Sequence, residues 1–227
     1  MKSIWGKPVC EDLGELVDPV RTALVVIDIQ NDFVHPDGYY GQIGKDLSQM
    51  QEILPRVVAL LEGARQAGVM VIWVQQTLLP NARADSPSWL RRRTRGTMPP
   101  EWTLEGSWGE DFIAPLRPRP GEPIVKKHRS SAFVGTSLDL LLRSNEIESL
   151  VLTGVVTQGC VESTGRDATF HDYYVVLVRD CVGTIDRELH AASMICQSTR
   201  YDFADSEAIL AEWARAGART PLRAGAR

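Results

Sequence analysis

Short apolar runs alternate along this chain with segments in which apolar residues recur every three or four positions. That alternation predicts strand-helix-strand units around a parallel sheet. The run at 23–29, ALVVIDI, is built mostly of branched apolar residues and suits a central strand buried on both faces. The segment 47–67 follows with Ile53, Val57, Leu60 and Leu61 on one helical stripe, and Gly68 stands as its C-terminal stop. Runs at 69–74, at Ile124 and Val125, at 150–155 and at 174–178 predict further strands, with a short one near 201–204. Helical patterns at 136–143, 160–171, 186–197 and 206–216 fill the intervals. The expected fold class is α/β: a three-layer sandwich with a central, mostly parallel sheet of about six strands flanked by helices.

The interval 77–121 breaks this rhythm. It is rich in Pro, Trp and Arg and has no clear period. A connection of that length without regular structure is usually functional, so it is expected to cover the active site. The domain expectation is an N-terminal arm at 1–20, a single domain at 21–216 and a loose, small and basic tail at 217–227.

Composition narrows the class without choosing a function. The 227 residues carry 25 Lys+Arg against 29 Asp+Glu, a net charge of −4, which gives no general reason to expect a nucleic-acid or anionic-membrane partner. The basic cluster Arg91, Arg92, Arg93 and Arg95 is the local exception and reads as a solvated or substrate-facing loop. The start, MKSIWGKPVCEDLGEL, lacks an apolar signal core, and no later stretch approaches membrane-spanning length, so a cytoplasmic location is expected. Cys10, Cys160, Cys181 and Cys196 show no zinc-ligand spacing and are expected as free thiols, with Cys181 and Cys196 read as core or near-core residues.

Ligands of an open parallel sheet bind outside the carboxyl ends of its strands. Three reactive side chains stand at such ends: Asp28 in VVIDIQNDF, Lys127 in IVKKHRSSAF and Cys160 in TGVVTQGCVEST. A cysteine at a helix N-terminus beside an ammonium favours the thiolate, and an adjacent carboxylate can take the thiol proton and later activate water. Each also has a plain structural reading: a buried inert cysteine, a turn-capping carboxylate, an exposed lysine next to Lys126.

Three blocks, ALVVIDIQNDF, VKKHRSSAFVGTSLDLLL and VLTGVVTQGCVESTGRDATFHDY, resemble the isochorismatase-like cysteine hydrolases over about residues 21–213. The resemblance implies that Asp28 is the general base, Lys127 its cationic partner and Cys160 the nucleophile. It also implies an oxyanion hole formed by the backbone N–H groups of Val156 and Cys160, with a cis peptide between Val155 and Val156. The activity implied is cofactor-free amide hydrolysis, a C–N bond being cleaved through a thioester. The segments PDGYYGQIGKDLS and LEGSWGEDF look like the ureidoacrylate and biuret branch, which acts on small ureido compounds or linear amides.

The nicotinamidase branch carries a metal-binding Asp and His set after the second strand, but here VIWVQQTLLPNARAD contains no histidine, so no metal is expected. True isochorismatases cleave a vinyl ether without a cysteine, so Cys160 argues against that alternative, and a fold that has lost its activity is the third. The resemblance further implies a homo-oligomer, a dimer or tetramer. For substrate contacts, position names Gln30, Asn31 and Phe33 after the base, Trp73, Gln75 and Gln76 at the end of the second strand, and Trp108 and Arg129 from the cover and the third strand. Arg129 is the candidate reader of a substrate carboxylate, although Phe33 and Trp73 serve equally as core and Arg129 as a structural residue.

Overall fold

The computed structural model describes residues 1–94 and 101–219. An N-terminal hairpin, β1 (Lys2–Ile4) and β2 (Lys7–Val9), turns at Trp5 and Gly6, both at positive φ, and leads through α1 (Leu13–Leu16) into β3 (Thr22–Ile27). Short helices α2 (Asn31–Val34), α3 (Tyr39–Gln42) and α4 (Ser48–Glu52) precede α5 (Leu54–Ala67) and β4 (Met70–Gln76). Then come α6 (Pro87–Thr94), β5 (Ile124–Lys127), α7 (Leu138–Ser144), β6 (Ser149–Val155), α8 (Glu162–Phe170) and β7 (Tyr174–Gly183). α9 (Arg187–Ser198), β8 (Asp202–Ala204) and α10 (Ser206–Arg219) complete the order.

The strands from β3 onward form one six-stranded sheet in the order β5-β4-β3-β6-β7-β8, and every pairing in it is parallel. Period-two alternation sorts its side chains into two apolar layers. Leu24, Val26, Val71, Trp73, Val176 and Val178 pack with α5 and α10 on one face, while Val25, Ile27, Ile72, Val74, Leu150 and Leu152 pack with α7 and α8 on the other. The three-layer α/β fold expected from the apolar rhythm is the fold observed.

Several boundaries differ for local reasons. The helix expected at 47–67 is two helices, because Pro55 in the first turn of α5 has no N–H to continue the ladder. The helix expected from Cys160 begins instead with a π-type turn, Thr157–Val161, ahead of α8. The 77–121 segment is not without regular structure: it holds α6 and a short 3-10 turn at Pro80–Ala82. The last helix runs past 216 to Arg219, and the rest of the expected loose tail, like Arg95, lies outside the described residues. No described helix is long and apolar enough to cross a membrane.

β3 and β6 are the central pair, and chain connections leave them in opposite directions, which makes their carboxyl ends the switch point of the sheet. Gly154 allows their close approach: its φ is +124°, and an added Cβ would stand 2.0 Å from the Ile27 carbonyl oxygen. Gly154→Ala is therefore expected to destabilise the fold by about 3 kcal/mol or more, read from chemical denaturation. A loss below about 1 kcal/mol would show that this contact relaxes freely.

Candidate active site

Asp28 follows the last residue of β3 and sits at φ 52°, a left-handed conformation that turns its carboxylate over the strand end. Its backbone N–H is held by the Val74 carbonyl at 3.0 Å. Lys127 is the last residue of β5, two strands away, and pairs in register with Gln76 at the end of β4. Its long side chain crosses above β4 to the switch point. There Nζ lies 2.8 Å from Asp28 Oδ2, 2.8 Å from Gln76 Oε1, 3.2 Å from Cys160 Sγ and 3.2 Å from the Arg129 carbonyl oxygen. Cys160 reaches the same point from the π-type turn after β6, and the peptide between Val155 and Val156 is cis. Asp28, Lys127 and Cys160 are thus in one cluster.

Burial sets the electrostatics. The side chains of Lys127 and Asp28 are 0% and 1% exposed, so each charge depends on the other for compensation. Burial raises the Asp28 carboxyl above its ordinary value, with the Lys127 ammonium opposing the rise. Burial opposes the Lys127 ammonium, but Asp28 and Cys160 outweigh it and hold the lysine above its ordinary value. The Cys160 thiol is pushed up to about 12 by burial, with Lys127 countering and Asp28 adding to the rise. Burial thus opposes the thiolate that the neighbouring ammonium favours. A protonated thiol beside a carboxylate of raised basicity is suited to proton transfer during attack.

The cluster opens into a cavity of about 350 Å³ whose walls include Phe33, Tyr40 and Gln76, and Trp89, Arg92, Arg93 and Trp102 from the cover. Ser130 and the Val155–Val156 and Gly159–Cys160 backbone segments complete it. A larger cavity, about 720 Å³, lies elsewhere and is lined by Asn31, His35, Gln75, Trp108 and Arg117 among others. It contains no member of the cluster, so volume does not mark the chemistry here.

Among the side chains expected to touch substrate, Phe33 and Gln76 border the smaller cavity, and Gln76 there orients Lys127. The others need correction. Trp73 is fully buried in the α5 layer, donating from Nε1 to Glu122 at 2.7 Å and packing on Phe112. Gln75 stands on the opposite face from Gln76 because neighbours on a strand alternate, and its amide donates to the Glu110 carbonyl at 2.9 Å. Gln30 is buried between strand and cover, donating to the Gln76 and Glu110 carbonyls at 2.9 and 2.7 Å. Asn31 donates from Nδ2 to the Trp108 carbonyl at 2.8 Å, while half-exposed Trp108 meets the edge of His35. Arg129 is engaged by the His128 and Ala84 carbonyls at 2.7 and 2.9 Å and stacks on Trp89.

Gln30, Asn31 and Gln75 therefore serve the cover, whose other anchors are acidic. Buried Glu110 accepts from Thr77 at 2.5 Å and from the Gly106 N–H at 2.8 Å and pairs with Lys126 at 2.9 Å. Asp32 accepts from the Thr103 N–H at 2.5 Å. The position-based reading missed Tyr40, Trp89 and Trp102. The signal for Trp89 and Trp102 was the aromatic and Arg content of the cover, which has no period to say which residues point inward, and Tyr40 stands in the short helix α3 outside it. No three His, Cys, Asp or Glu side chains converge as metal ligands among the described residues, and the end of β4 offers glutamines, so the metal of the nicotinamidase branch does not fit here.

The isochorismatase domain family matches residues 22–198. The chain belongs to that family. Among solved structures it is similar to an isochorismatase-like hydrolase from Alkaliphilus metalliredigens, at 29% identity over 85% of this chain and 99% of that one, with a TM-score of 0.73. It is also similar to N-carbamoylsarcosine amidase from Thermoplasma acidophilum, at 27% identity over 82% of this chain and 97% of that one, with a TM-score of 0.66. A cysteine hydrolase from Pseudomonas syringae pv. phaseolicola shares the fold at 23% identity, covering 92% of this chain and 99% of that one, with a TM-score of 0.78.

Proposed function

We propose that the protein is a cysteine amidohydrolase that cleaves a C–N bond in a small amide or ureido substrate through a thioester. The observation that carries this reading is the buried Lys127 ammonium touching both the Asp28 carboxylate and the Cys160 sulfur. As Cys160 attacks the carbonyl, Asp28 takes the thiol proton and Lys127 stabilises the developing thiolate. The backbone N–H groups of Val156 and Cys160 receive the oxyanion, and Asp28 passes its proton to the departing nitrogen. Asp28 then deprotonates the water that opens the thioester.

The amidase among its relatives and the ureido-type look of the segments at 37–48 and 104–112 support the substrate class. The same reading carries a cytoplasmic homo-oligomer, a dimer or tetramer, with a small molecule as its partner and no cofactor. Incubation with ureido acids, biuret, linear amides and nicotinamide is expected to release ammonia from the ureido or linear amide members. Rapid acid quenching is expected to leave the chain heavier by the acyl fragment of the turned-over substrate. Vinyl-ether cleavage with no covalent adduct would overturn the reading.

A further inference from the structure

The proposed reaction uses the ends of β3 and β5 and the turn after β6, and leaves α9 without a role. The sequence of α9, RELHAASMICQS, places His190, Ser193 and Gln197 at i, i+3 and i+7, a single helical stripe. Ser193 and Gln197 are buried and His190 is half-buried, whereas Leu189 and Ile195 are exposed. The polar stripe therefore faces inward, and each of its members has a partner. Gln197 donates to Ser193 Oγ at 2.8 Å, Ser193 donates to Glu162 at the start of α8 at 2.5 Å, and His190 Nδ1 lies 2.9 Å from Thr157 Oγ1.

The last of these contacts reaches the turn that carries the nucleophile. Thr157 opens the π-type turn that ends in Val161, and it is fully buried, so its hydroxyl needs a partner. Burial, with the Arg187 cation adding to it, holds the His190 imidazole below its ordinary value, and a neutral ring can accept at Nδ1 from that hydroxyl. Val156, the residue before Thr157, accepts at its carbonyl from the Gly159 and Val161 N–H groups at 3.0 and 3.3 Å, so the turn closes around it. At the other end the Cys160 carbonyl accepts from Thr164 Oγ1 at 2.7 Å, an anchor inside α8. The Thr157 hydroxyl ties the turn instead to a separate helix, 33 positions along the chain. A π-type turn is an uncommon backbone arrangement, and a small rotation of it would carry the Val156 and Cys160 N–H groups away from a reacting carbonyl.

We propose that His190 is a positioning residue: through the Thr157 hydroxyl it fixes the turn that presents the Val156 and Cys160 N–H groups to the oxyanion. The inference rests on the amidase reading. Thr157→Val and His190→Leu keep the bulk and remove the bond, and each is expected to lower kcat roughly tenfold or more, with KM within about twofold, because the loss falls on the transition state. The double variant is expected to be no slower than the slower single one. Thr157→Ser, and His190→Asn, whose amide stands where Nδ1 did, are expected to recover most of the rate. Ser193→Ala loosens the same helix without touching Thr157 and is expected to keep kcat within about twofold of the parent.

A second measurement needs no substrate. Butyraldehyde adds reversibly to a thiol: the sulfur bonds to the carbonyl carbon, and the oxygen takes the thiol proton and lies where the oxyanion would form. Iodoacetamide alkylates the same sulfur by displacing iodide, which calls on no oxyanion donor. Thr157→Val and His190→Leu are expected to be alkylated at Cys160 within about twofold of the parental rate, but to need roughly tenfold more butyraldehyde for protection. That pattern supports the proposal even if no amide or ureido compound is hydrolysed, in which case it is the amidase reading that fails. Parental kcat and parental aldehyde protection in both variants would overturn the proposal and leave amide hydrolysis standing. An equal fall in Ser193→Ala, or a loss that neither Thr157→Ser nor His190→Asn repairs, would overturn it as well.

Discussion

Cys160→Ser is expected to lower turnover by at least about a hundredfold while leaving folding stability within about 1 kcal/mol of the parent. The change swaps one atom in a partly buried side chain 3.2 Å from Lys127 Nζ, so the cluster keeps its packing. The chemistry suffers more. A hydroxyl is much harder to deprotonate than a thiol, so proton transfer to Asp28 during attack becomes more costly. The acyl adduct seen on rapid quenching should be lost or become long-lived, according to which step slows. Cys181→Ser and Cys196→Ser are controls for this claim, the first thiol being buried in the core as expected and the second exposed on α9, which corrects the near-core expectation for Cys196. Near-parental turnover in Cys160→Ser, or equal inactivation of all the well-folded serine variants, would remove the covalent mechanism.

Lys127→Met should cost about 3–5 kcal/mol of stability as well as the activity, because it leaves the Asp28 carboxylate buried without a counter-charge. The Lys127 ammonium, 2.8 Å from Oδ2, is the largest favourable contact of that buried charge. The double variant Asp28→Asn with Lys127→Met removes the charge along with its partner and is expected to recover most of the stability and none of the activity. Urea unfolding of the parent, both single variants and the double variant measures the coupling. A cost below about 1 kcal/mol for Lys127→Met would mean that water reaches the pair and that the low-dielectric account of the cluster is wrong.

Much of the fold was legible because apolar rhythm is a local property. A run of branched residues such as 23–29 has few ways to be buried except as a central parallel strand, and helices between such runs must cover both faces. The rule that crevices form at strand ends then named Asp28, Lys127 and Cys160 together, and the switch point between β3 and β6 is where the structure places them. The same reasoning went wrong where it ignored the period of the strand. Gln75 and Gln76 cannot face one site, and Trp73, on the same face as Gln75, belongs to the α5 layer.

The sequence by itself determined the class of fold, the chain order of the six strands of the main sheet and of the longer helices between them, and the position of Asp28, Lys127 and Cys160 near strand ends, since each follows from period or from position along one strand. Only the tertiary structure decided where the arginines sit. Arg129 is held by Ala84, 45 positions away, and Arg92 borders the cavity from a cover helix. It also set the burial that raises the Cys160 thiol, because desolvation depends on everything that surrounds the side chain. Contacts between segments remote in sequence have no period, so the walls of this cavity are set where the cover folds back over the sheet.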